Sequence, residues 1–63
     1  MNDSNEARAA RATEHWLLVE LSAIDSLLPR MLPVTPSTAA TRQKWIEWRA
    51  AIVAELEKRR IAA

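Results

Sequence analysis

The stretch Leu28-Pro29-Arg30-Met31-Leu32-Pro33-Val34-Thr35-Pro36 decides the fold, because it holds all 3 prolines of this 63-residue chain. Proline is excluded from the interior of a helix, and it disfavours the helical conformation of the residue before it. The rest of the chain has no Gly and is rich in Ala, Leu, Glu and Arg, which favour helix. The sequence therefore predicts an all-α hairpin in a single domain, with helix 1 over about residues 4–28, a link over 29–35 and helix 2 over about 36–61.

Capping residues mark the starts of both predicted helices. Asp3 is a suitable N-cap for helix 1, and Glu6 lies where a capping box places its acidic member. Thr35 is a suitable N-cap for helix 2, and Pro36 follows at the first helical position, where its missing N–H costs nothing. Since the two helices have similar lengths and a short link, they should pack as an antiparallel pair.

Each predicted helix carries an apolar arc of about 200°, whereas one neighbouring helix covers a stripe little wider than about 100°. The uncovered half predicts a homodimer in which two hairpins form a four-helix bundle. The alternative is a hairpin that leaves its apolar face open for a different protein. The residues expected in the core and dimer interface are Trp16, Leu17, Leu21, Ile24, Leu28, Trp45, Trp48, Ile52 and Leu56.

Glu20 and Arg49 each interrupt one of these apolar arcs. If residue i lies opposite roughly 65 minus i, Glu20 faces Trp45 and Arg49 faces Trp16, about one turn apart. We expect a partly buried Glu20–Arg49 pair that fixes the register of the bundle, with Arg49 also stacked on Trp16 or Trp48. The alternative is that both side chains extend to the edge of the bundle and are solvated.

Residues for catalysis or metal binding are scarce. The chain has no Cys, and His15 is its only His, so neither a disulfide nor the usual zinc ligand set can be assembled. Nucleophilic catalysis needs a nucleophile, a base and an orienting group, but His15 falls beside Arg8 and Arg11 on the polar face of helix 1. The sequence predicts a protein that is not an enzyme and has no cofactor.

Composition favours a protein partner over nucleic acid or a membrane. The 9 Lys and Arg against 8 Asp and Glu lack the basic excess that phosphate binding uses. The longest apolar stretch is too short for a bilayer, and the polar start is unlike a secretory signal, so we expect a cytoplasmic protein. The predicted contact surface for a partner comprises Arg11, His15, Leu18, Met31 and Leu32.

The size, the lack of Gly and Cys and the two helices separated by prolines resemble small phage-encoded proteins that disable host regulators. The distinctive segments are Thr13-Glu14-His15-Trp16 and Trp45-Ile46-Glu47-Trp48-Arg49. The resemblance is to proteins of the quorum-sensing anti-activator type. This resemblance implies a compact helical dimer that inhibits a host transcriptional or quorum-sensing activator by binding it.

Two other resemblances give alternative functions. The segment Arg42-Gln43-Lys44-Trp45-Ile46-Glu47-Trp48-Arg49-Ala50-Ala51-Ile52 is similar to a short helix near the end of phage tail-assembly chaperones. The hairpin architecture is similar to that of Rop-type dimers, which bind paired RNA loops along one face. Acidic residues are interleaved with the basic ones near both chain ends, so no continuous stripe for phosphates is expected.

Overall fold

A computed structural model describes residues 4–62, and the regular elements in this range are all helical. Helix α1 spans Asn5–Arg11, helix α2 spans Glu14–Leu27, and helix α3 spans Pro36–Ala62. A short 3-10 turn at Leu28–Arg30 follows α2 directly. The predicted all-α class is confirmed, and α3 matches the predicted helix 2 closely.

The prediction of one continuous helix 1 is wrong, because the chain breaks at Ala12 and Thr13. Both residues adopt extended backbone angles, with ψ values of 154° and 153°. The side chain of Thr13 starts α2, since its Oγ1 accepts a hydrogen bond from the Trp16 backbone N–H at 3.2 Å. The helix therefore ends and restarts, although no Gly or Pro lies nearby.

The start of α1 is capped by Ser4, whose hydroxyl accepts a hydrogen bond from the Ala7 N–H at 3.1 Å. Asp3, the predicted cap, lies outside the described residues. The start of α3 agrees with the sequence prediction. Thr35 Oγ1 accepts from the Thr38 N–H at 3.1 Å, and Thr38 Oγ1 accepts in return from the Thr35 N–H at 2.9 Å. This reciprocal pair satisfies backbone donors that the helix itself leaves unpaired.

Both short helices pack on α3, and they run in opposite directions along it. The Arg8 guanidinium lies over the Trp48 ring, and Ala12 contacts Arg59 further along α3, so α1 runs parallel to α3. Leu18 shares a cavity with Leu56, whereas Asp25 contacts Arg49, so α2 runs antiparallel to α3. The break after α1 thus folds the N-terminal part of the chain back onto α3.

The predicted Glu20–Arg49 pair is wrong, because Arg49 pairs with Asp25, while Glu20 lies in a cavity with Trp45 and the cations Arg8 and Lys44. Arg49 Nε donates to Asp25 Oδ1 at 2.6 Å. Asp25 lies about two and a half turns beyond Trp16, the residue expected opposite Arg49. The link lies near the first turns of α3, where Met31 and Thr38 line one cavity.

The core lies where α1 and α2 meet α3. Leu17 and Ile24 of α2 and Ile52 of α3 are the largest fully buried side chains. Around them lie the other buried residues, Ala9, Trp48 and Ala51, and the half-buried Ala12, Leu21, Leu28, Trp45 and Leu56. Eight of the nine predicted core residues therefore pack in or against the core, and Trp16, at 42% exposure, is the exception.

Candidate partner-binding surface

Helix α2 presents a row of apolar side chains to solvent. Trp16, Val19, Ala23 and Leu27 recur at intervals of three or four residues and so share one face of the helix. Trp16 is 42% exposed, Val19 53% and Leu27 39%. We call these four residues the α2 stripe. It borders the core-facing side of α2, so the sequence correctly placed them on an apolar arc, but neither α1 nor α3 covers them.

One end of the α2 stripe is fixed by a pair of tryptophans. The Trp16 and Trp48 rings are tilted by 57°, with centroids 6.1 Å apart, a geometry favourable for aromatic pairs. The Arg8 guanidinium lies 4.9 Å from the centroid of Trp48, within the range of a cation–π contact. The predicted stacking of Arg49 is thus replaced by Arg8, because Arg49 is held by Asp25. Trp16 is held in place while part of its surface remains available.

A groove of about 400 Å³ lies beside this pair. Trp45 and Trp48 supply its aromatic surface, and Glu20 reaches it from α2. The other residues that line the groove are Asn5, Arg8, Thr41, Lys44 and Glu47. Arg8 and Lys44 are its two cations, and Glu20 and Glu47 are its two anions. The charges balance, so the groove has no field that would select an anionic ligand.

The link carries a second exposed apolar surface, which we call the link patch: Met31, Leu32 and Val34. Leu32 is 66% exposed and Val34 80% exposed, and Met31 is half-buried. These residues line a cavity of about 400 Å³ together with Arg30, Thr38 and Thr41. The patch lies at the end of the molecule where α2 leads into the link and α3 begins.

The residues predicted to contact a partner do not form one surface. Met31 and Leu32 belong to the link patch, whereas Leu18, at 50% exposure, lines a different cavity with Leu56. Arg11 and His15 are also exposed, but they lie towards the other end of α2 from the link. The reason is the length of α2, since Leu18 lies near its start and the link follows its end.

The contacts that hold α1 on α3 were not predicted from the sequence. Arg59 Nη2 donates to the Ala12 carbonyl at 2.6 Å and to the Ala9 and Ala10 carbonyls at 3.3 Å each. Glu55 Oε2 accepts from Arg59 Nε at 2.8 Å and so orients the guanidinium. Thr13, a good N-cap residue followed by acidic Glu14, was the one signal in the sequence for a new helix start.

The Asp25 carboxylate, through its hydrogen bond and its charge, raises the pKa of the Arg49 guanidinium above its ordinary value. Within residues 4–62, His, Asp and Glu form no group of three or more suited to a metal ion. None of the helices in the same range is long and apolar enough to cross a bilayer.

Comparisons with protein-family models, with curated proteins and with solved structures found no match to this chain. The surfaces described above are therefore the basis for a functional assignment.

Proposed function

We propose that this protein is a non-catalytic interaction module that forms a homodimer and binds a second, folded protein. The observation that carries the proposal is the set of large apolar side chains exposed on the α2 stripe and the link patch. Surfaces of this kind that persist on a folded chain mark sites of association. In this proposal the two surfaces supply the apolar centre of an interface, and the charged residues around them supply its rim.

Self-association is supported by the small size of the core. The described residues include six that are buried, and two of those six are alanines. A chain of this length rarely obtains more than about 3 to 5 kcal/mol from its core alone. Pairing with a second copy would supply further burial without a disulfide, which a chain lacking Cys cannot form.

The chain resembles phage-encoded antagonists in its size, its lack of Gly and Cys and its helices separated by prolines. This resemblance supports an inhibitory role, in which the partner is a host transcriptional or quorum-sensing activator. The balanced charges of the groove give less support to a Rop-type RNA-binding role, which needs a surface of one sign for the phosphates. A protein antagonist instead needs one or two apolar anchors that fill a pocket on its target.

Capture from a host lysate tests the protein-binding role. Val19→Glu and Leu32→Glu each place a carboxylate in an apolar surface, and each should reduce capture of the partner at least about tenfold. Ser22→Glu on α2 and Ser37→Glu on α3 are matched controls, because both serines are exposed and lie outside the two surfaces. Both controls should capture the partner as well as the original chain does.

A nuclease step separates the protein role from the RNA role. Capture that survives nuclease and changes little between low and high salt supports a protein partner. Loss of every captured species after nuclease would contradict the protein-binding proposal and support the RNA-binding one. Equal capture by all four variants would show that the α2 stripe and the link patch do not contact the captured partner.

A further inference from the structure

The α2 stripe and the link patch lie on the same side of the molecule. The groove beside the tryptophan pair and the cavity of the link patch share Thr41 as a lining residue, so the two open next to each other. Glu20 lies four residues after Trp16 and three before Ala23, at the edge of the α2 stripe that borders this groove. The stripe and the patch therefore form one exposed apolar face, which extends from Trp16 to the link.

Two side chains of opposite charge flank this face at different heights along α2. Glu20 is half-buried near the middle of the helix, and Arg30 is exposed at the end of the 3-10 turn that follows it. Side chains three residues apart in such a turn nearly eclipse each other, so Arg30 continues the line of Leu27. Within residues 4–62, Glu20 forms no ion pair with Arg8 or Lys44, and Arg30 forms none with any residue. Each charge can therefore pair with an opposite charge on another chain.

The two charges distinguish between the orientations in which a second copy can lie on this face. A parallel copy sets Glu20 against Glu20 and Arg30 against Arg30, and like charges repel. An antiparallel copy sets Glu20 against Arg30 at two places when residue i of one copy lies near residue of about 50 minus i of the other. The same register places Ala23, which is small, against Leu27, which is large. Charge and side-chain size thus both fit the antiparallel orientation.

This antiparallel register also covers both apolar surfaces at once. Val19 of one copy lies opposite Met31 of the other, and Trp16 lies opposite Val34. The α2 stripe of each copy is therefore covered by the stripe and the link patch of the other. A two-fold axis perpendicular to α2 produces the arrangement, and such an axis gives the commonest symmetry of homodimers.

Building on the proposed homodimer, we propose that two copies pair through this face with their α2 helices antiparallel, and that Glu20 of each copy pairs with Arg30 of the other. Each chain keeps the fold described above, including the contacts of α1 with α3. A different protein that binds the α2 stripe or the link patch must then displace the second copy.

Charge reversal tests the pairing of Glu20 with Arg30. Glu20→Arg leaves two cations at each contact and Arg30→Glu leaves two anions, so each variant alone should dimerise at least about tenfold more weakly in sedimentation experiments. An equal mixture of the two variants restores opposite charges at both contacts. We expect the mixture to form a heterodimer with nearly the original affinity, which native mass spectrometry separates from either homodimer.

Glu57→Arg is the matched control for these variants. Glu57 is exposed on α3 and lines neither the groove nor the cavity of the link patch. The control makes the same change in net charge as Glu20→Arg, and it should dimerise like the original chain. Circular dichroism of each variant checks that its helix content is unchanged.

Cross-linking of single-cysteine variants tests the orientation independently of the charges, since the natural chain has no Cys. In the antiparallel pair Val19 lies near Met31 of the second copy, whereas the two Val19 residues lie roughly 18 Å apart along the helices. A mixture of Val19→Cys with Met31→Cys should therefore give a covalent heterodimer with a short bis-maleimide, and Val19→Cys alone should give little covalent dimer.

The outcomes separate this inference from the homodimer on which it rests. A dimer in which Val19→Cys links mainly to itself overturns the antiparallel pairing and leaves self-association standing. Folded charge variants whose mixture dimerises no better than either variant alone have the same consequence. A chain that stays monomeric at every concentration overturns both and leaves the apolar face to a different protein.

Discussion

At the scale of single residues, Arg59 joins α3 to the end of α1. Its guanidinium binds three carbonyls at the end of α1 and the Glu55 carboxylate on its own helix. The last carbonyls of a helix have no partner within that helix, so a cation there satisfies them and opposes the negative end of the dipole. By contrast, the Arg49–Asp25 pair joins two side chains that are 41% and 50% exposed, where solvent weakens an ion pair.

Arg59→Gln should therefore lower the free energy of unfolding by about 2 kcal/mol, as expected for hydrogen bonds from a charged group to partly buried acceptors. Urea denaturation followed by tryptophan fluorescence measures the change. Arg60→Gln is the matched control, because Arg60 is the exposed neighbour on the same helix and carries the same charge. Equal losses in the two variants would show that net charge, and not the contact with α1, accounts for the effect.

At the scale of helices, a threonine caps the start of both α2 and α3. Thr13 and Thr35 each place a hydroxyl oxygen on a backbone N–H three residues later. At α3 the cap is doubled, since Thr38 returns a hydrogen bond to Thr35 and the two hydroxyls lie 3.1 Å apart. Pro36 follows at a position where it adds rigidity and loses no hydrogen bond.

Thr35→Ala should destabilise the fold by about 1 kcal/mol, because it removes the acceptor of this cap. Thermal denaturation followed by circular dichroism measures the loss. Thr41→Ala serves as the control, since the Thr41 hydroxyl only donates to the Ser37 carbonyl within the same helix. We expect the control to be neutral or slightly stabilising, because Ala is the better helix former. A neutral Thr35→Ala would mean that the link, and not the cap, fixes the start of α3.

At the scale of the whole molecule, the chain is extended for its length. Its radius of gyration is 12.8 Å, against about 11 Å expected for a compact domain of this size. The extents of 42 × 29 × 16 Å describe a flat shape, set by the long α3 helix with two shorter helices on it. A flat, extended chain buries a smaller share of its apolar residues than a compact one, and the exposed α2 stripe is the result.

Light scattering after size exclusion should accordingly give a dimer, about twice the chain mass of 7.1 kDa, at micromolar concentration. Dilution should shift the dimer towards monomer, and the thermal midpoint should fall with it, because association stabilises the folded state by mass action. A single 7.1 kDa species whose midpoint does not depend on concentration would contradict the homodimer and favour an open apolar face reserved for another protein.

The amino-acid sequence by itself determined the helical class, the position of the link and the start of α3. These features follow from local chemistry: proline geometry around Pro29, Pro33 and Pro36, the Thr35 cap, and the absence of Gly. The spacing of apolar residues also placed most of the core correctly, because a helix repeats every 3.6 residues whatever it packs against. Trp16 and the rest of the α2 stripe show the limit of that reasoning, since periodicity identifies an apolar face but not its neighbour.

Only the tertiary structure decided that the first predicted helix breaks, and that Arg49 pairs with Asp25 and not with Glu20. At Ala12 and Thr13 local propensity favours continuing the helix, so the break depends on contacts distant in sequence: Ala9 buried against α3, and Arg59 on the carbonyls of α1. The partner of Arg49 depends on how α2 lies against α3, which no residue pattern specifies. Both are settled by which surfaces meet, a property of the packed chain and not of any segment in it.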